Sequence, residues 1–468
     1  MRRPKTQERA WFAVLIVALS ASVSHAQDRD RPGYRKLRYE EHWSLVCAPE
    51  AKTQPLDFLK CIQLSPTGWL WMTVGGEGRL RYDYTNNPTW GSDPQDQGSL
   101  FLQRYSLLGD LHVGPHVRAF LQLFSALEHG QSGEPGPVDE NQLAFLQGFV
   151  DLTAEFAEVR GFVRLGRYQL TYGSGRLVDV RAGPNVPRTF NGGQVFVIAA
   201  GAWRVDAIAV RPTLTKPGVF DDDIDHTQDL WGVYAVRKPE ELPTAVDLYY
   251  LGYHNDSSTY QQGEGSETRH SLGLRLWGVR DNWDWNWEFI GQFGKFGSGT
   301  IGAWSVASDS GHTWTEFPWT PRLGLSANVA SGDKKAAYDN LETFNPLFPR
   351  GNYFSELALL GPRNFFNVHP FLSASPLKNI DVTADVDFFW RLEKADGVYS
   401  PGGGLLRAGS SADARYVATD VSLNVSWSIN VYCYLSVVYS HSFPGPFIAD
   451  TGPADAIDFV EVTLGAVF

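Results

Sequence analysis

The chain has 468 residues, 43% of them hydrophobic and 20% charged, and carries 46 Gly, 16 Trp, 19 Tyr and 28 Phe but only 2 Met. An aromatic share of 13% excludes intrinsic disorder. A bundle of membrane helices is excluded because a single apolar stretch, near the N-terminus, approaches spanning length, and the net charge of -12 argues against nucleic acid as a partner.

Arg2, Arg3, Lys5 and Arg9 precede an apolar core from Trp11 to Leu19, and Ser24-His25-Ala26 resembles a small-x-small cleavage site. Residues 1–26 therefore read as a secretory signal peptide whose core is too short to span a membrane as a helix. Its removal takes away four basic residues and Glu8, moving the net charge from -12 to -15. Residues 27–66 read as a short periplasmic segment, too small for the plug domain of an energy-coupled receptor. Within it, Cys47 and Cys61 either pair in the oxidising compartment or stay as separate packing residues.

From Leu70 onward the chain falls into segments of roughly ten residues with period-two patterning. In the first, Glu77, Arg79, Arg81 and Asp83 share one face, and Leu80, Tyr82 and Tyr84 the other. Farther on, Trp283, Trp285, Trp287 and Phe289 alternate with Asp284, Asn286 and Glu288, and Asp381, Asp385 and Asp387 alternate with Val382, Val386 and Phe388. A soluble sandwich also alternates. Several charges per strand on one face, with aromatics at the ends of the apolar face, instead fit a barrel with a polar interior and a lipid-facing exterior.

About 18 such segments begin near Leu70, Ser99, Val117, Gln142, Ala157, Gly193, Trp203, Gln228, Ala245, Thr268, Trp283, Thr300, Pro321, Phe365, Lys378, Ala414, Ile429 and Ile457. Long polar connections follow odd-numbered segments, such as 85–98, 168–192, 212–227, 331–364 and 443–456, and mostly short ones follow even-numbered segments. This is the long-outside, short-inside asymmetry of outer-membrane barrels. The final segment places Val460, Val462, Leu464, Ala466 and Phe468 on one face, resembling the terminal strand read by barrel-assembly machinery. The fold class is thus all-β, a transmembrane antiparallel barrel over residues 67–468, expected as a monomer in the lipid and lipopolysaccharide of a Gram-negative outer membrane.

Two stretches carry a family resemblance. Gly166-Arg167-Tyr168-Gln169-Leu170, continuing through Tyr172-Gly173, Gly175-Arg176-Leu177-Val178, Asn185 and Arg188-Thr189-Phe190-Asn191-Gly192, is the first. Ser331-Gly332-Asp333 followed by Thr343-Phe344-Asn345-Pro346-Leu347-Phe348-Pro349-Arg350-Gly351-Asn352-Tyr353-Phe354 is the second. Together they resemble the alginate export family of outer-membrane barrels. Tyr168 stands where that family usually reads Gln, and Asn191 where Asp is commoner. The resemblance implies an 18-stranded monomer exporting an anionic uronate polysaccharide through an Arg-lined pore.

The basic set supports that expectation from the residues themselves. Of 40 basic residues, 29 are Arg, and Arg offers a permanently charged fork that takes carboxylates bidentately. Arg79, Arg81, Arg104, Arg118, Arg160, Arg164, Arg204, Arg269, Arg275, Arg322 and Arg391 fall on the inward face, interleaved with Glu77, Asp83, Asp110, Asp151, Asp206, Asp284, Asp381, Asp385 and Asp387. Such rings either select anions or merely fill a polar lumen. At the outer mouth, Arg167, Arg176, Arg181 and Arg188 with Tyr172 and Phe190 either dock a sugar chain or pin their loop to the wall.

Catalysis is not expected, because Ser440-His441-Ser442 and His270-Ser271 are sequence neighbours that point to opposite faces. No cofactor is expected and no His/Cys spacing suits zinc. The acidic tip Asp221-Asp222-Asp223 with Asp225 and Asp229 either binds a divalent ion or is simply solvated. The reading is an outer-membrane channel passively exporting an alginate-like polyuronate, with periplasmic export partners possible. The alternatives are a porin taking up small anions and a surface-binding barrel closed by 331–364.

Overall fold

The computed structural model describes residues 31–95, 98–130, 134–156, 159–199, 203–238, 242–335 and 340–468; the signal peptide expected over 1–26 lies outside them. Eighteen long strands form the barrel wall. They are β1 (Leu70–Asn86), β2 (Ser99–Val113), β3 (Val117–His129), β4 (Asn141–Phe156), β5 (Val159–Tyr168) and β6 (Phe190–Ala199). There follow β7 (Trp203–Leu214), β8 (Gln228–Arg237), β9 (Thr244–Tyr260), β10 (Gly263–Arg280), β11 (Trp283–Phe296) and β12 (Gly299–Thr313). The circuit ends with β13 (Arg322–Ala330), β14 (Phe365–Leu377), β15 (Ile380–Trp390), β16 (Tyr416–Ser428), β17 (Cys433–Pro444) and β18 (Ile457–Val467).

Each strand pairs antiparallel with its sequence neighbours, and β1 pairs with β18 from Glu77↔Val467 to Asn86↔Asp458, closing the sheet. Closure satisfies the backbone N–H and C=O groups that a sheet edge would leave bare in hydrocarbon. Alternation does the rest. Leu107, Leu121, Leu165, Leu272, Leu325 and Leu423 are exposed on the outside, while Thr73, Arg104, Asp151, Arg164, Glu288 and Asp420 are buried within. Trp283 and Trp427, both exposed, sit at the short-turn rim where amphipathic rings prefer the headgroup region.

The loop asymmetry expected from the sequence is present, with two departures on the long side. Two-residue turns at 261–262 and 297–298 join β9 to β10 and β11 to β12. Here the chain is spent on strand length instead: β9 and β10 run for 17 and 18 residues, so β10 starts at Gly263 and not near Thr268. On the short side, Asp281 and Asn282 both have positive φ, 51° and 66°, the geometry that lets a two-residue turn match strand twist. The β12–β13 connection, 314–321, is longer than the other turns on this side.

The segment before the barrel folds around a Cys47–Cys61 disulfide. Its Ile62–Gln63 pairs with β1, and Tyr34 lies against Trp43 and against Tyr432 of the β16–β17 turn. This segment is not confined to the short-turn rim, as its central residues enter the lumen.

Candidate functional site

The lumen is occupied by three pieces of chain that converge from both ends. From the long-loop side, the connection 169–189 folds inward, and the connection 331–364 meets it. Asp179 N–H donates to the Phe348 carbonyl and Phe348 N–H to that of Leu177, an isolated parallel bridge at Val178↔Phe348. The two stretches that carry the family resemblance thus bond to each other. Gly173 turns the first loop with φ +56°, where a Cβ would come within 2.6 Å of the Tyr234 hydroxyl. A side chain there would be both strained and obstructed.

From the short-turn side come Lys36, Arg38 and Tyr39. Arg38 donates to the carbonyls of Gly76 and Phe468 across the β1–β18 seam, and pairs with Glu41. Gly75 leaves room for it, since a Cβ there would meet both Arg38 and Lys60 at 3.2 Å. The Tyr39 ring lies edge-on to Phe120 and Phe149 beneath the Arg164 guanidinium, 4.1 Å away, and its hydroxyl donates to the Gln169 carbonyl. Lys36 reaches Asp179, joining this finger to the inward loop. Burial pushes the Tyr39 phenol up to about 12, and burial pulls Lys60 down to about 8, with Arg38 adding to the effect.

The arginines singled out from sequence divide by what they hold. Arg79 donates to the carbonyls of Ala182, Gly183 and Pro184, and Arg104 to Ala182, so their charge tethers the inward loop. Arg104 also pairs with Glu77, and Arg81 pairs with Asp83 and Glu461. Arg118 and Arg164 are clamped bidentately by Asp110 and Asp151. Arg269 is fully buried against Glu267 and Gln292, and Arg322 pairs with Asp284 and Asp309. Arg275 holds Asp247 and Asn286. Arg160 lies at the rim, exposed, beside Glu155.

Three expectations change. Arg391 lies just beyond β15 and not on the lumen wall; it donates to the carbonyls of Lys394, Gly409, Ala412 and Ala414 and so organises the loop 391–415. Tyr172 is not displayed at the mouth but stacked on Tyr234, which in turn stacks on Tyr249. Phe190 is buried edge-on to Phe348. Of the mouth arginines, Arg176 pairs with Glu288, Arg167 binds Asn191 and Asp222, and Arg188 donates to Asp179 and Pro349 carbonyls. Burial, with Arg181 second, holds the Arg188 pKa well below the ordinary guanidinium value. Asp222 is taken by Arg167, Asn141 and the Lys216 N–H.

The acids expected on the inner face separate likewise. Asp206 accepts from Gln194 and Arg204. On the β14–β16 wall, His369 bridges Asp385 (2.9 Å) and Asp387 (3.3 Å), and Asp387 lies directly opposite Asp420, whose Oδ1 has no hydrogen-bond partner among the described residues. Asp381 is exposed near the short-turn rim and accepts from Ser375.

The sequence reading missed the finger itself, since Lys36, Arg38 and Tyr39 carry no periodic signal. It also passed over Tyr234, Asp247 and Trp277, whose only sequence mark is an inward position in an alternating strand. Beside the finger, a cavity of about 400 Å³ is lined by residues including Lys36, Glu40, Tyr172, Arg204, Asp247 and Trp277.

Comparison with known proteins agrees with this geometry. A family model described as alginate export matches residues 70–460. No curated protein matches the chain. Among solved structures, Pseudomonas aeruginosa OccD3 (OpdP) is similar with a TM-score of 0.57 at 12% identity, covering 90% of this chain and 97% of its own. Acinetobacter baumannii OccAB1 is similar with a TM-score of 0.57 at 13% identity, covering 85% and 96%. Pseudomonas aeruginosa OccK2 (OpdF) in complex with glucuronate gives 0.56 at 10% identity, covering 85% and 98%.

Proposed function

Because the chain belongs to the alginate export family of outer-membrane barrels, we propose that this outer-membrane channel conducts anionic saccharides of the uronate class, with passive export of an alginate-like polyuronate as its primary task. The observation that supports it most is the placement of charge. Every Arg and Lys in the barrel strands lies on β1–β13, the sector that carries the inward loop 169–189, and none lies on β14–β18. Guanidinium groups in a confined, low-dielectric channel favour carboxylates over neutral sugars. The paired acids hold those groups in position and keep the lumen from binding its cargo too tightly to release it.

A second reading, uptake of small anions, is favoured by one observation. With the finger and both loops inside, one cavity beside the finger measures about 400 Å³, a size suited to a small solute. A barrel of similar shape, OccK2 (OpdF), is known in complex with glucuronate. Polymer passage then requires the loops or the finger to move. The third reading, a surface-binding barrel, shares the inward position of 331–364.

Planar-bilayer recording separates them. Anion-selective current blocked by oligouronate from either side, with secreted polymer lost on gene deletion and restored by wild type, supports export. Block by glucuronate with unchanged polymer secretion supports uptake. Cation-selective current, or none even after excision of 331–364, overturns the anion-channel reading.

A further inference from the structure

The cavity beside the finger has a definite address. Arg204 is the second residue of β7, Asp247 the fourth of β9, and Trp277 lies three residues before the end of β10, so its wall belongs to the short-turn, periplasmic rim. Its roof is the tip of the inward loop at Thr171, Tyr172 and Gly173, and its flank is Lys36 to Glu40 of the finger. A ligand arriving from the periplasm meets this space before it meets the junction of the two loops.

The chemistry of the lining is selective. The Lys36 and Arg204 side chains are each 46% exposed, unlike the buried arginines elsewhere in the lumen, although the Lys36 ammonium also holds Asp179. Among the described residues Arg204 hydrogen-bonds only through Nε, to Asp206 at 3.1 Å, with its guanidinium over Phe196, which leaves its terminal nitrogens to take a carboxylate. Asp247, by contrast, is saturated by Tyr234, Arg275 and Trp277 and cannot compete for those cations. Trp277 is half-buried, its N–H fixed on Asp247, which sets the orientation of a large ring beside the cavity. The Arg275 guanidinium lies 4.9 Å and the Lys238 ammonium 5.7 Å from the ring centroid, and the rest of the ring offers an apolar surface to the C–H face of a pyranose. Glu40 supplies an acceptor for sugar hydroxyls. The buried hydroxyls of Thr171 and Tyr172 have no hydrogen-bond partner among the described residues. A volume of about 400 Å³ falls in the range of roughly 300–1,000 Å³ usual for small-molecule sites.

We propose that this cavity is a periplasmic receiving site for a short uronate-type saccharide, with its carboxylate on Arg204 and Lys36 and its ring against Trp277. The inference rests on the anionic-saccharide reading above and adds to it a location and a side. The site holds the leading end of the cargo under the loop tip, so that loading precedes passage.

The test uses the full chain, purified and reconstituted, with D-glucuronate and trigalacturonate as probes and D-glucose and maltotriose as neutral controls. Calorimetric titration is expected to show the acidic sugars binding at least tenfold more tightly than the neutral ones. Arg204→Gln and Trp277→Leu are each expected to weaken binding at least tenfold, and current block is expected at lower probe concentration from the short-turn side. Trp277→Leu removes a donor from a buried carboxylate and risks the fold. Arg204→Gln, at a half-exposed strand end, keeps the test decisive, with heat-modifiable gel mobility as the folding control. If wild type binds uronates and both folded variants bind them equally well, the site is elsewhere and the proposal fails while the channel reading stands. Wild type that is anion-selective yet binds no uronate has the same consequence. Wild type that is neither anion-selective nor uronate-binding overturns both.

Discussion

Two sectors of one lumen wall are built on opposite charge rules. Strands β1–β13 hold all the strand cations, nearly all matched to an acid or to loop carbonyls, whereas β14–β18 hold Asp381, Asp385, Asp387, Asp420, Asp458 and Glu461 with no Arg or Lys. In the first sector, charge is structural currency between wall and loop: Arg79 and Arg104 hold 182–184, and Arg176 holds the same loop to Glu288. In the second, carboxylates face one another, with His369 on Asp385 and Asp387 and His441 on Asp458, and Asp420 Oδ1 has no hydrogen-bond partner among the described residues. The contrast teaches that charge is distributed unevenly around the wall: cations and acids are interleaved on one sector, and acids stand without Arg or Lys on the other.

The contrast can be broken most severely at Arg164. Arg164→Ala leaves Asp151 buried without its bidentate partner and empties the space over Tyr39. A loss of about 3–5 kcal/mol is expected, measured by urea unfolding in lipid vesicles. Arg391→Ala is the next largest, since several carbonyls of the loop 391–415 lose their donor. At about 1–3 kcal/mol for each buried group left unsatisfied, the expected outcome is faster proteolysis within 391–415 of a barrel that still assembles.

A pH effect sharpens the comparison at the loops above the second sector. Asp333 is raised to about 7, by burial first and then by Asp396 and Glu342, with Lys334 turned to Glu342 nearby. A carboxyl whose folded pKa lies above its unfolded value stabilises the fold when protonated, and that contribution is lost as pH rises from near 4 through about 7. The junction of 331–364 with Asp396 is therefore expected to be tighter at pH 5 than at pH 8, read as slower hydrogen exchange at pH-corrected rates. Asp333→Asn should abolish the difference.

Within the second sector itself, removing charge should cost nothing. Asp387→Asn relieves a directly opposed pair with Asp420 and keeps an oxygen for Asn367. Stability is expected to hold or rise by up to ~1 kcal/mol, with a lower cation share of the current in reversal-potential measurements. The opposite sign to Arg164→Ala is the point of the comparison. Lys36→Ala leaves the buried Asp179 carboxylate with the Arg181 N–H but without its cation, an expected loss of about 1–3 kcal/mol. It releases the finger from Asp179, and larger open-channel current fluctuations are the expected readout.

Much of the wall was legible beforehand. Period-two patterning marked all eighteen strands, because a residue's face in a strand depends only on whether its position is odd or even, and the lipid face must be apolar at every second place. The two hairpins at 261–262 and 297–298 were not foreseen, since polar residues such as Glu264 and Glu267 continue the strands beyond the lipid and read equally well as loop. Of the site, the inward arginines were identifiable as a set, and Arg391, Tyr172 and Phe190 were misplaced because they sit at strand ends or in loops, where no alternation applies.

The sequence by itself determined an exported chain's barrel: strand number, inside and outside, and which side carries the long loops. Tertiary structure alone decided what fills that barrel. Whether Arg79 faces a solute or the carbonyl of Ala182, and whether Tyr39 hangs in the periplasm or wedges between Phe120 and Phe149, depends on contacts between residues more than a hundred, or about eighty to a hundred and ten, positions apart. Local patterning carries no information about such pairings; they are settled by the requirement that a buried guanidinium, carbonyl or ring find a partner inside a closed wall.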